Sequence, residues 1–439
     1  MSEQDTHPNK YTELRSIHKY YIDLYNALYQ LKTENEEEIN KIYKMIKTEL
    51  IDSKKCLPYT IISHILCIIP FKNRYTKAYF SLVKLIYDNY QVNEEIKIPF
   101  SIRYLFYIEY GIKLSKEDDF ETIKSEYHDI NTDDTIYRAI MYNDLERFIF
   151  FTEREGFDKD EMLQSFLCPF SHCFGFSLLE VCCYHGAVDC FKLLRTKFNS
   201  KITETCLEFS FLGGNAEIMS ECLKYQKPNE KCMEYAIISH NIDFVTYLMN
   251  EYNIKINLEY CGKYKNLDSM LVYFDQTNDI NNCFINLARF NIPSLLEYFL
   301  SHGANINEKN NYGESALHYA VTDSGKETAE FLISHGANIN EKDNNGKTAL
   351  HIAVLHNSKE IAEFLILHGT NINEKDNYGE TALHKATYKN SKEIAELLIS
   401  HGANINEKNK DGETVLHIAA IFNRKKNSRI SYFTWSKYQ

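Results

Sequence analysis

The hexapeptide His302-Gly-Ala-Asn-Ile-Asn307 returns at His335, at His368 with Thr370 in place of alanine, and at His401. The step is 33 residues each time. A second marker keeps the same step: Gly313-Glu-Ser-Ala-Leu-His318, Gly346-Lys-Thr-Ala-Leu-His351, Gly379-Glu-Thr-Ala-Leu-His384 and Gly412-Glu-Thr-Val-Leu-His417. Two markers in four copies with one period restrict this region to a repeat architecture. One supersecondary unit must be built again and again and stacked on itself.

Local chemistry says what the unit is. Asp343-Asn-Asn-Gly346 is turn chemistry, with glycine free to take a positive φ. Thr348 is placed to cap a helix beginning at Ala349, on which Leu350, Ala353 and Val354 form a small, close-packing face. Asn357-Ser358 predicts the cap of a second helix, in which Ile361, Ala362, Leu365 and Ile366 recur at helical spacing. His368-Gly369 closes it with a C-terminal glycine. The unit is turn, helix, tight loop, helix, and it cannot bury its apolar faces alone.

This unit resembles the ankyrin repeat, whose signature is Thr-Pro-Leu-His-x-Ala. The proline is replaced by Ala316, Ala349, Ala382 and Val415, a mild change at a first helical position. The resemblance runs from about Phe299 to Asn423. It implies an all-α fold, an ankyrin-type α-solenoid, and a role in protein–protein interaction. Weaker copies of the frame lie upstream. Cys182, Ser210, Ala236, Cys261, Leu287 and Ala320 fall at one equivalent position, and a first partial copy centres on Ala139 with Asn143. The shorter upstream steps predict helix pairs without the projecting hairpin.

Residues 11–132 show no repeat. Leu14, Ile17, Tyr21, Leu24, Leu28 and Leu31 make a heptad stripe, resumed by Ile39, Ile42, Ile46 and Leu50. Aromatic-rich helices are expected over 75–90 and 102–110. The stripe reads as part of a helical bundle, with a self-associating coiled coil as the other possibility. The expected organisation is a polar N-terminus (1–10), an N-terminal helical domain (11–132), degenerate ankyrin-like helix pairs (133–300), four 33-residue repeats with the last incomplete (301–423), and an aberrant tail (424–439). The whole resembles the large trichomonad family that carries a helical N-terminal half of unknown function before C-terminal ankyrin repeats.

The tail breaks the pattern where a second helix is due. Codons available to residues 427–439, read one base on, spell Ile-Ala-Glu-Phe-Leu-Ile-Ser-His-Gly-Ala-Asn-Ile, the repeat's own second helix and loop. The tail is therefore read as a one-base frameshift within the Lys425-Lys426 codons. The one tryptophan, Trp435, belongs to it.

The rest of the sequence carries no catalytic signature. The net charge of −12 carries no basic footprint for nucleic acid. The most apolar stretch, residues 56–71, is interrupted by Pro58, His64 and Pro70 and is too short to span a bilayer. Residues 1–10 carry no apolar signal core, so an intracellular, cytoplasmic location is expected. Gly346-Lys-Thr348 lacks the first glycine of a phosphate loop, because Glu341 stands there. Cys168 and Cys173, with Cys182, Cys183, His185 and Cys190, lack paired zinc spacing. Four equivalent histidines along one ridge form no convergent site. Neither catalysis, nor a metal, nor a cofactor is expected.

The candidate site lies where the repeats differ from one another. At the hairpin tips these positions hold Asn311 and Tyr312, Asn344 and Asn345, Asn377 and Tyr378, Lys410 and Asp411. Just past the turn stand Glu314, Lys347, Glu380 and Glu413. At the end of the first helix are Thr322 and Asp323, Leu355 and His356, Tyr388 and Lys389, Ile421 and Phe422. The resemblance implies that these positions line a concave surface for a protein partner, with Tyr312, Tyr378, Tyr388 and Phe422 as aromatic anchors. A non-enzymatic scaffold or adaptor is the expected function. The other expectation is a structural protein that self-associates through its N-terminal helices.

Overall fold

The structure, a computed structural model, describes residues 10–426 except 54, 93–95, 97, 116–117, 119, 121–134, 164–166, 168–174 and 324, with side chains described from 11 to 421. The chain forms two compact units, Met1–Gln276 and Thr277–Gln439. The fold is all-α. Among the described residues the only strands are Met162–Leu163 and Phe176–Ser177, paired antiparallel with Met162 opposite Ser177.

The first unit begins with helices Lys10–Ile17, Lys19–Tyr29, Glu36–Ile46, Pro58–Ile68, Thr76–Tyr90 and Phe100–Tyr110. Their ends are chemically marked. The Asn35 side chain accepts from the N–H groups of Glu37 and Glu38, Pro58 opens its helix, and Gly111 closes another in the left-handed region. The heptad stripe is buried within this unit, except for Ile17. The stripe does not run on one helix: the chain breaks at His18, whose Nδ1 lies 3.0 Å from the Leu14 carbonyl.

Helix pairs follow: Ile136–Met141 with Leu145–Thr152, Leu178–His185 with Val188–Thr196, Glu204–Gly213 with Ala216–Leu223, Glu230–Ile238 with Ile242–Tyr252, and Leu258–Lys263 with Leu267–Thr277. Each pair turns on one residue with φ between 52° and 70°: Asn143, Gly186, Gly214, His240 and Lys265. Cys182, Ser210, Ala236 and Cys261 are fully buried where one first helix packs on the next. Small residues are required there. A Cβ on Gly213 would stand 2.2 Å from the Cys183 carbonyl oxygen.

The second unit repeats the pattern with Ile280–Leu287 and Pro293–Ser301, Ala316–Thr322 and Lys326–Ser334, Ala349–Leu355 and Lys359–Leu367, Ala382–Tyr388 and Lys392–Ser400, then Val415–Lys426. The pair 280–301 packs on the repeat that follows it, so this unit starts upstream of the strict period. Thr348 caps Ala349–Leu355 as expected, with His351 as its partner in a capping box. Ser358 makes no side-chain cap; Asn357 instead supplies the left-handed turn, with φ 53°. Residues 427–439, which hold the frameshift reading, lie outside the described residues.

Between repeats run polar ladders. The Lys309, Lys342 and Lys375 ammonium groups donate to the carbonyls of Lys342, Lys375 and Lys408 at 2.9–3.0 Å, and each pairs with Glu341, Glu374 or Glu407. Backbone N–H groups of Asn338, Asn371 and Asn404 donate to the side chains of Asn307, Asn340 and Asn373 one repeat earlier.

The hairpins approach so closely that their glycines matter individually. Gly346 has φ +75°, and a Cβ there would stand 2.7 Å from the Asn377 backbone nitrogen. Gly336 has φ +95° and open space around it. Gly346→Ala is expected to cost about 2 kcal/mol or more, combining left-handed strain with a backbone clash. Gly336→Ala should cost about 1 kcal/mol, from strain alone. Urea unfolding of both variants checks this, and equal losses would contradict the close-approach reading.

Candidate functional site

The hairpin tips are fixed by their own hydrogen bonds. The Asp343 carboxylate accepts from the N–H groups of Asn345 and Lys347 at 2.8 Å, and Asn310, Asp376 and Asn409 do the same in their own turns. One turn then bonds to the next. The N–H groups of Asn344, Asn377 and Lys410 donate to the carbonyls of Tyr312, Asn345 and Tyr378 at 2.8–2.9 Å. The side-chain amides of Asn344 and Asn377 donate to the carbonyls of Asn311 and Asn344. These two candidate residues therefore hold the ladder together.

Histidines lock the base of each hairpin. Nδ1 of His351 accepts the Thr348 N–H at 3.2 Å, which leaves Nε2–H to donate to the Glu380 carbonyl of the next repeat at 3.0 Å. His318 repeats this with Ser315 and the Lys347 carbonyl, and His384 repeats the Nδ1 contact, accepting the Thr381 N–H at 3.2 Å. The arrangement needs a neutral ring, and burial lowers the pKa of all three. A second set, His302, His335, His368 and His401, places Nδ1 2.7–2.9 Å from the carbonyl four residues back. Both sets serve the helix ends.

On this frame the variable side chains differ in what they leave free. Tyr312 and Tyr378 are 61% and 64% exposed on the tips, and Tyr388 is 37% exposed at a helix end. Asn311, Asn345, His356, Lys389, Lys410, Asp411 and Ile421 are exposed as well, while Lys347 and Leu355 are half-buried. Glu314 accepts from the Asn310 amide, Thr322 turns its hydroxyl to the His318 carbonyl, and Asp323 meets Arg289 at 3.6 Å. The side chain of Phe422 lies outside the described residues.

The third repeat contains a charged cluster that periodicity alone does not reveal. Lys385 stands where the other repeats have Tyr319, Ile352 and Ile418. Its buried ammonium group pairs with Asp376 at 2.7 Å and with Glu380, and it lies 5.7 Å from the Tyr378 ring. Burial and the neighbouring Glu380 push the Tyr388 hydroxyl up to about 12. Tip and turn thus meet at Lys385, and the helix end joins them through Glu380. The readable signal was a charged residue at a framework position.

In the first unit the corresponding first-helix ends are covered. The Tyr184 hydroxyl donates to the Pro70 carbonyl, and the Lys72 ammonium group donates to the Leu212 carbonyl at 3.2 Å. Tyr29 stacks on His240 at 4.1 Å, the Asn26 side-chain amide lies 2.9 Å from its Nδ1, and Gln30 donates to its carbonyl. Phe71 meets Tyr264 edge-on at 5.4 Å. At the margin Arg15 and Tyr11 both reach the buried Asp268 carboxylate at 2.8 Å. Burial holds the pKa of His240 down to about 3, and burial with nearby Arg74 does the same for His185.

Cys182, Cys183, Cys190, Cys206 and Cys222 are buried free thiols, and burial pushes the first three up. They pack as small apolar groups. Cys168 and Cys173 lie outside the described residues. Among the described residues no group of three or more His, Cys, Asp or Glu side chains is placed to hold a metal, and no helix is long and apolar enough to cross a membrane.

Comparison with known families agrees with this geometry. Residues 284–376 and 366–430 match the family described as ankyrin repeats (3 copies). Residues 198–273 match a domain of unknown function, DUF3447. No curated protein matches the chain. The segment 284–430 is a run of ankyrin repeats, a fold that mediates protein–protein interaction and is generally non-enzymatic.

Neutral histidines tie stability to pH. An unfolded histidine titrates near 6.5, and those buried here titrate lower. Their contribution is complete above about pH 6.5 and is lost as the pH falls below it, because the unfolded chain then binds more protons. The thermal midpoint should therefore drop steadily between about pH 6.5 and 4.5. A flat profile over that range would contradict the neutral-ring assignment.

Proposed function

We propose that this ankyrin-repeat chain is a non-enzymatic scaffold or adaptor whose concave repeat surface, over residues 311–421, holds a protein partner. One observation carries the reading: Tyr312, Tyr378 and Tyr388 are exposed on a backbone frame already fixed by its own hydrogen bonds. An aromatic side chain on a rigid support loses little conformational freedom on binding, so its burial goes largely into affinity. Acidic and basic side chains alternate around the tyrosines, with Glu314 and Asp411 against Lys347, Lys389 and Lys410. Such mixed charge at a rim sets partner choice more than strength.

The other reading is homotypic assembly through the N-terminal helices. The heptad stripe on which it depends is buried inside the first unit, leaving Ile17 as its one exposed member.

The full chain and a Tyr312→Ala/Tyr378→Ala/Tyr388→Ala variant, immobilised at equal density, test the proposal. Recovery of bound protein should fall at least about tenfold in the variant, since buried anchors commonly contribute 2 kcal/mol or more each. Equal recovery by both chains would refute the assignment of the face.

A further inference from the structure

The two units treat equivalent positions differently. In the second, the first-helix ends carry exposed side chains such as His356 and Tyr388. In the first, all four ends from Tyr184 to Tyr264 are met by residues from two short stretches, 26–30 and 70–72. The N-terminal helices thus occupy the face that, on the proposal above, an ankyrin stack offers to a partner.

Backbone strain marks the same place. In the pair turns of the first unit Asn or Gly takes the left-handed conformation at Asn143, Gly186 and Gly214, whereas His240 (φ 52°) and Lys265 (φ 57°) take it in the other two. Asn or Gly would be easier there. Both side chains are buried, and His240 lies directly beneath Tyr29 and Asn26. Strain of this kind persists where the side chain is needed. The contacts also resemble an interface more than a shared core: a stacked aromatic, one side-chain amide on a carbonyl and another on an imidazole, a lysine on a carbonyl, and a marginal Arg15–Asp268 pair.

We infer that residues 11–110 are a built-in helical ligand for the upstream helix pairs, closing the face of residues 178–276 to outside partners. The inference depends on the proposed function only for the meaning of the face. A ligand differs from a core element in one measurable way: it can exchange.

The test uses the full chain with a protease site substituted into the mostly polar stretch 121–134, cut to completion in the folded state. The probe is an excess of isotopically labelled N-terminal fragment, released by denaturant from the same cut chain and refolded in its presence. The unlabelled fragment should co-elute with the remainder on gel filtration, and the labelled fragment should replace it with time. Arg15→Ala with Asn26→Ala should speed replacement at least about tenfold while helicity is unchanged. Fragments that separate at once, or that co-elute but never exchange, overturn the inference. The same measurement on the Tyr312/Tyr378/Tyr388 alanine variant separates the two ideas: exchange there should be unchanged, even if the downstream face proves not to bind a partner.

Discussion

A pair of helices six to eleven residues long has no interior of its own, and the contact between one pair and the next is what the rest of the structure depends on. That contact is made by small side chains. Cys182, Ser210, Ala236 and Cys261 let successive first helices approach, and Ala320, Ala353 and Ala386 do the same downstream. At Gly213 even a methyl group would collide with the neighbouring helix. Close packing at this seam brings the loops within hydrogen-bonding distance, and the asparagine and lysine ladders follow from it. Stability in such a stack is mostly a sum of nearest-neighbour terms, so each seam contributes separately.

The proposed function draws on what the seam leaves over. Once the framework has satisfied its turns, caps and carbonyls, the side chains at hairpin tips and first-helix ends have no structural duty in common and can vary. Some were recruited back: Asn344 and Asn377 join one hairpin to the next, and Glu380 pairs with the framework residue Lys385. Others, notably the three tyrosines, stay exposed. The upstream pairs show the same positions in use, with amides, aromatic rings and a lysine from the chain's own N-terminal helices seated on them.

The repeating part of this fold is written in the sequence because its determinants are local. A turn glycine, a threonine cap and a small buried residue recur within 33 residues, and each does the job its position suggests. What escaped was either a choice between local options or a long-range contact. Asn357 and Ser358 both suit a helix start, and only the backbone shows that Asn357 makes the turn while Ser358 offers no cap. His18 divides the heptad stripe without any proline or glycine to announce it. Tyr29 on His240 and Arg15 on Asp268 join residues more than 200 apart, and no periodicity encodes them. The unusual left-handed residues His240 and Lys265 were the available clue, visible only once the dihedral angles were known.

Hydroxyl-radical footprinting of the intact chain compares the two faces in a single measurement. Tyr312, Tyr378 and Tyr388 should be oxidised rapidly, while Tyr29, Tyr184 and Tyr264, at 4–5% exposure, should be protected. Similar oxidation of both sets would show that the upstream face is open in solution and would contradict the division between a filled face and a free one.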